Sequence, residues 1–261
     1  MLSRLSPFRT SLVCISILST AVLVLAIGSF LIVPSWAEIW ENLHSRELFF
    51  SIKLSLWTAA LSSALVMLLA LPIGYALSRF NFTGKSVVKT IMDLPVAFPE
   101  LVLGLCLLLL FGKTAPGKWL QDMGLNFVFT QKGIVAAQFF TALPYAIRIM
   151  KSSYDFINPR LEFVSRSLGY SEGETFINVT LPLAKSGIIA AGVISFARCI
   201  GTFGTVLVLA GGSAGKTNTL PINLYLNISY GNMGMAITSG IILIAVSFLA
   251  IFIFEKTEAA L

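Results

Sequence analysis

Long apolar runs alternate along the chain with short polar stretches, and the runs share one length. Six of them, at 11–33, 52–77, 91–111, 133–150, 187–209 and 233–254, approach or exceed the roughly 20 helical residues needed to cross bilayer hydrocarbon. None alternates apolar and polar residues as the strand of a membrane barrel does. Without water, backbone N–H and C=O groups must pair inside each segment, so the runs predict helices. The first could also serve as a secretory signal, with Arg4 and Arg9 as its basic region and Pro34-Ser35-Trp36-Ala37 as a cleavage zone. Its apolar stretch exceeds the 7–15 residues usual for a signal, so it is read as a retained helix.

Composition sharpens this reading. Apolar residues make up 56% of the 261 and charged residues only 11%, with mean hydropathy +0.88. That is under half the charge of an ordinary soluble domain, about 25%. The net charge of +6 comes from short loops, so it points to membrane topology rather than to nucleic acid. With six spans, Arg4, Arg9, Arg79, Lys85, Lys89, Arg148, Lys151, Arg160, Arg166, Lys185 and Lys256 fall on one side. The smaller set, Arg46, Lys53, Lys113, Lys118, Lys132 and Lys216, falls on the other. The bias predicts both termini in the cytoplasm of a cell or inner membrane.

Enzyme chemistry finds little to stand on. Cys14, Cys106 and Cys199 lie in apolar runs without metal-ligand spacing and are read as small buried hydrophobes. His44 is the single histidine, and Asp93 is a lone aspartate at a span edge. No catalytic or metal-binding residue is assigned. Residues 210–217, AGGSAGKT, miss the phosphate-loop pattern at Ala210, lack the strand before it, and are read as an external turn. The 34–51 loop, with Trp36, Trp40 and three glutamates, is expected to carry a short interfacial helix.

The longest polar loop, 151–186, is the candidate functional element. Pro159 can open a helix, and Leu161, Val164 and Leu168 form an apolar stripe opposite Glu162 and Arg166. Gly169 stops it. Ser171 with Glu174 reads as a capping box for a second helical piece that runs to Leu181-Pro182. A helix, a glycine and a second helix therefore hang beneath the membrane, shaped to dock into a partner's groove.

This loop resembles the "EAA" loop of ABC importer permeases. Gly169, Val179, Leu181 and Pro182 keep that family's spacing, while its Glu-Ala-Ala falls on Phe163, Val164 and Ser165, with the acid displaced to Glu162. The likeness runs from about Phe49 to the end. It includes Asp93-Leu94-Pro95, Leu143-Pro144, the stretch Phe196–Gly204, Thr219-Leu220-Pro221 and Tyr230–Gly234, and it is most similar to the permeases for molybdate, tungstate and sulfate. There a glutamate usually precedes the Phe-Gly pair, where this chain has Thr202.

The resemblance implies an all-α, six-helix permease of the type I importer arrangement, working as a homodimer over residues 1–261. The 159–182 loop would couple it to two cytoplasmic ATPase subunits that carry ATP and Mg, and an external binding protein would deliver the oxyanion. Glu162, Phe163, Val164, Ser165, Leu168, Gly169, Leu181 and Pro182 become the coupling candidates. A permease for another small solute and a secondary transporter are the competing readings; the latter would need no docking loop. Arg198 lies near the middle of the fifth run, where a charge costs several kcal/mol without water or a partner. It either faces the pathway or pairs with Glu100, with Thr202 nearby.

Overall fold

A computed structural model describes residues 7–32 and 35–259, and among these every regular element is helical. Arg4, Val33 and Pro34 lie outside them. The helices are α1 (Pro7–Ile32), α2 (Trp36–Leu43), α3 (Arg46–Arg79), α4 (Lys85–Ala97), α5 (Glu100–Lys113), α6 (Ala115–Asp122) and α7 (Gln131–Phe156). They continue with α8 (Pro159–Ser167), α9 (Glu172–Thr175), a π-helical turn at Phe176–Thr180, α10 (Leu181–Leu183), α11 (Lys185–Gly201), α12 (Gly204–Ala210), α13 (Leu220–Ser229) and α14 (Met233–Ala259). Four helices are long and apolar enough to cross a membrane, or up to six if each bent pair counts as one span. The chain is an all-α, multi-pass membrane protein.

The bundle centres on α3 and α7, joined by α11. Their contact uses small residues, as helix pairs in lipid require. A Cβ at Gly74 would lie 2.8 Å from Met150 Cβ and 3.1 Å from the Lys151 nitrogen, so only glycine admits this approach. Ala59, Ala70, Ala142, Ala146 and Ala191 line the same buried seam. A polar clasp crosses it: Ser62 Oγ donates to Gln138 Oε1 at 2.9 Å, and Gln138 Nε2 donates to Thr58 Oγ1 at 3.3 Å. Outward positions are apolar, as lipid contact demands. α1 packs against α14 and otherwise exposes its length.

Two expected spans are broken. The third is a pair, α4 and α5, bent by 115°. Pro99 has no N–H and drives Phe98 into extended backbone, φ −84°, ψ 143°, which ends α4. The fifth stops at Gly201, turns through Thr202 and Phe203, and resumes as α12. The expected interfacial helix is α2. Of the cysteines, Cys199 is buried, while Cys14 and Cys106 face outward, against expectation, because their helix faces have no protein cover in this chain.

Candidate functional site

The loop after α7 forms the helix–glycine–helix unit read from the sequence. Asn158 caps α8 by accepting the Arg160 N–H at 3.0 Å. Gly169 follows with φ +99°, a left-handed turn that L side chains rarely adopt. The capping box is present: Ser171 Oγ accepts the Glu174 N–H, and Glu174 Oε2 accepts the Ser171 N–H at 2.8 Å. The Ser171 hydroxyl also donates to Glu174 Oε2 at 2.7 Å, and this bond, then the one from the Ser171 N–H, hold the Glu174 carboxyl below the usual carboxylate range. Pro182 cannot donate to the carbonyl of Asn178, and the chain opens into a π turn closed by Leu181 N–H to Phe176 O. A bend of 75° then leads into α11.

The two charged residues of the polar side of α8 part company: Arg166 is exposed, whereas Glu162 is buried with Ser165. Both oxygens of Glu162 lie 3.0 Å from Arg79 Nε, and Oε1 also accepts Thr180 Oγ1 at 2.9 Å. Arg79 Nη2 donates to Ile157 O at 2.9 Å. Ser165 Oγ and Thr175 Oγ1 are 3.0 Å apart. The cause is Arg79: it ends α3 at the edge of the bundle and draws the acid inward. The apolar stripe is thereby turned out. Leu161, Phe163 and Val164 are exposed, and Leu168 is 75% exposed. Leu181 is half-buried and Pro182 exposed on the short α10. Beneath them Tyr75 of α3 meets Phe176 of the π turn at 4.6 Å between ring centroids.

The two breaks in the bundle abut. Glu100 opens α5, and its Oε2 accepts the N–H of Phe203 at 3.2 Å and of Gly204 at 2.8 Å. These are the free amides at the start of α12, which favour an anion. Thr205 Oγ1 donates to Glu100 O at 3.0 Å. The expected Glu100–Arg198 pair is therefore not formed. Arg198 is exposed on the chain surface, with its Cζ 4.2 Å from the centre of the Tyr145 ring. Thr202 is buried and its hydroxyl donates to Arg198 O at 2.7 Å, so it closes the end of α11 rather than facing a pathway. Sequence reasoning missed Arg79, Tyr145 and the capping role of Glu100; the proline at 99 was the available signal for the last. No group of three or more His, Cys, Asp or Glu that could hold a metal occurs among the described residues.

Residues 67–260 match the family of binding-protein-dependent transport system inner membrane components. The chain belongs to that family. The permease is 36% identical over 177 residues to a molybdenum transport system permease protein of Haemophilus influenzae, covering 67% of this chain and 77% of that one. It is 29% identical over 219 residues to a sulfate transport system permease protein of Escherichia coli, covering 84% and 79%. Among solved structures, a bacterial ABC transporter for the acidic polysaccharide alginate superposes with TM-score 0.72 at 17% identity, covering 97% of the permease and 96% of that chain. The MetNI methionine transporter, inward facing, gives 0.64 at 18% identity, covering 87% and 98%. At such identities these two structures establish the fold alone; it is the family match that makes the permease a subunit of an ABC importer.

Proposed function

We propose that the permease carries a small oxyanion of the molybdate, tungstate or sulfate kind into the cytoplasm. Two copies form the pathway, an external binding protein delivers the anion, and two separate ATPase subunits, carrying ATP and Mg, drive alternating access. Both termini face the cytoplasm of the cell membrane. The exposed stripe of Leu161, Phe163, Val164 and Leu168, with the turn at Gly169 and the Leu181-Pro182 step behind it, docks into the ATPase. Glu162 and Ser165 hold that stripe in place from within.

The observation that carries the substrate class is Arg198. A guanidinium in the last turn of α11, at the break in the fifth apolar run, exposed, over an aromatic face and with no acid partner among the described residues, is too costly to leave against lipid. Facing an aqueous pathway, it lowers the barrier to an entering anion. The names of the relatives support the same class. The test is the reconstituted complex, with the binding protein loaded with molybdate, tungstate or sulfate in turn. ATP hydrolysis and uptake should rise with at least one of them. A complex that responds to none of the three, but to a neutral or cationic solute, refutes the reading.

A further inference from the structure

Beyond Arg198, toward the loop that carries α8, the surface of α7 stays polar. Tyr145, beneath the Arg198 guanidinium, is followed one turn later on the same face by Arg148. Arg148 Nε lies 2.7 Å from Asp93 Oδ1 of α4, with the two side chains 50% and 28% exposed. This is the one bond Arg148 makes among the described residues, so both Nη groups of its fork are uncommitted. Beside it a cavity of about 660 Å³ opens between α7 and α11, lined by Ser152, Ser153, Ser186 and Gly187 as well as by apolar side chains. Ser153 reaches into it because Gly187 has no Cβ; one placed there would collide with the Ser153 hydroxyl.

The three serine hydroxyls make no hydrogen bond among the described residues. The helical serines of this chain divide: Ser19, Ser51, Ser86 and Ser247 likewise make no side-chain hydrogen bond among the described residues. Ser16, Ser167, Ser195 and Ser229, also helical, each donate to the carbonyl four residues back. A helical serine that does not bond backward keeps a donor for something else. Three such donors and a half-used guanidinium surround one space, and no carboxylate lines it.

We propose that this cavity is an oxyanion subsite on the cytoplasmic side of the pathway, with Arg148 as its charged anchor and Asp93 as a displaceable internal counter-ion. The inference rests on the oxyanion reading above. A tetrahedral dianion presents oxygens to the guanidinium as a carboxylate does, with more charge, and it can also accept from Ser152, Ser153 and Ser186. Displacing Asp93 is cheap, because a half-exposed ion pair holds weakly. It disturbs the core little, because α4 has no fully buried side chain, only Val88 and Met92 packing partly buried against the bundle, and is bent away from α5 at Pro99. Arg198 of α11, over the Tyr145 ring, and Arg148, one turn beyond Tyr145 along α7, then form two successive weak stations, which passage requires in place of one tight site.

The test uses the complete complex with ATPase subunits and binding protein, reconstituted with the cytoplasmic face accessible. In a cysteine-free background, Ala190→Cys places a reporter on the cavity wall. Its modification by a charged thiol reagent is timed against added sodium molybdate or sodium sulfate. Each anion that the complex imports should slow labelling. Asp93→Asn should lower the half-protecting concentration several-fold, and Arg148→Gln should raise it about tenfold, the worth of one charge-assisted bond. Arg148→Lys should fall between. Opposite signs for the two substitutions identify competition for one guanidinium. Shifts in the same direction mean that the pair only fastens α4 to α7, and overturn the proposal. So does labelling that an imported anion never slows, which leaves the oxyanion reading intact. A parent complex that imports no oxyanion fails that reading, and this inference with it.

Discussion

Glu162→Ala removes the acid that fixes α8 against the bundle. The Arg79 and Glu162 side chains are only 11% and 8% exposed. Breaking a buried pair by deleting one partner costs about 3–5 kcal/mol, because the other charge is left in a poor solvent. Here the stranded group is mainly Nε, since Nη2 keeps Ile157 O and Nη1 keeps Ser78 Oγ. A cavity of about 290 Å³ beside Tyr75 and Arg79 also admits water to the vacated space. The lower end, about 3 kcal/mol, is therefore expected, and the loss falls on local opening of the 159–182 loop rather than on the whole bundle. It corresponds to about a hundredfold loss of amide protection there. Hydrogen exchange of the purified complex, read on peptides spanning 159–182 and on α3 and α7 as references, measures it. Arg79→Met should do at least as much damage, since it strands a carboxylate. The double variant should lose less than the sum of the singles. Unchanged exchange in both single variants, or strict additivity, would refute the claim that this ion pair anchors the loop.

Three further expectations follow from local geometry. Gly169→Val forces a β-branched residue to φ +99° with nothing crowding it, so strain alone should cost about 1–3 kcal/mol, with uptake falling while membrane insertion persists; normal uptake would place the coupling turn elsewhere. Gly204→Ala sets a Cβ 2.9 Å from Glu100 Cβ and 3.3 Å from the Leu101 nitrogen, and overpacking of this kind costs about 1–3 kcal/mol. The melting temperature of the complex should drop, whereas Gly192→Ala, with open space around it, should be neutral or slightly stabilising. In a cysteine-free background, a membrane-impermeant thiol reagent outside the cell should label a cysteine at position 216 and miss one at 166, and the reverse pattern would invert the orientation.

The apolar runs fall on helices, whole or broken, because lipid leaves a spanning segment little choice of residue type. Run length could not show direction. The run across Pro99 stays apolar through a 115° bend, and the one across Thr202 and Phe203 stays apolar through a helix break. Counting residues from span ends had put Glu100 and Arg198 at one depth. That count assumed straight helices, and Glu100 proves to be the first residue of a new one, spent on the amides of α12. α13 escaped notice because ten residues are too few to span and its inward Asn223 and Asn227 interrupt the apolar pattern. The docking loop was legible in its parts: stripe, glycine turn and capping box. The burial of Glu162 was not, since that depends on Arg79, remote in sequence, and no local periodicity reports it.

The way α8 is held has a mechanical consequence. An apolar stripe packed inward would stabilise this chain alone and leave a polar surface outside. With an ion pair packed inward, the stripe stays exposed, and the hold on the bundle becomes directional. Arg79 links Glu162 at once to the end of α3 and, through Ile157 O, to the end of α7. Those two helices meet along the glycine- and alanine-lined seam closed by the Ser62–Gln138 clasp, where a methyl group cannot be added without moving backbone. Such a contact transmits displacement and does not absorb it. α4 is the opposite: it has no fully buried side chain, is bent from α5 at a proline, and is held by partly buried Val88 and Met92 and by the half-exposed Asp93–Arg148 pair. A push on the stripe should therefore pass through α3 and α7 as a unit, and the contact expected to give way first is the one beside the serine-lined cavity.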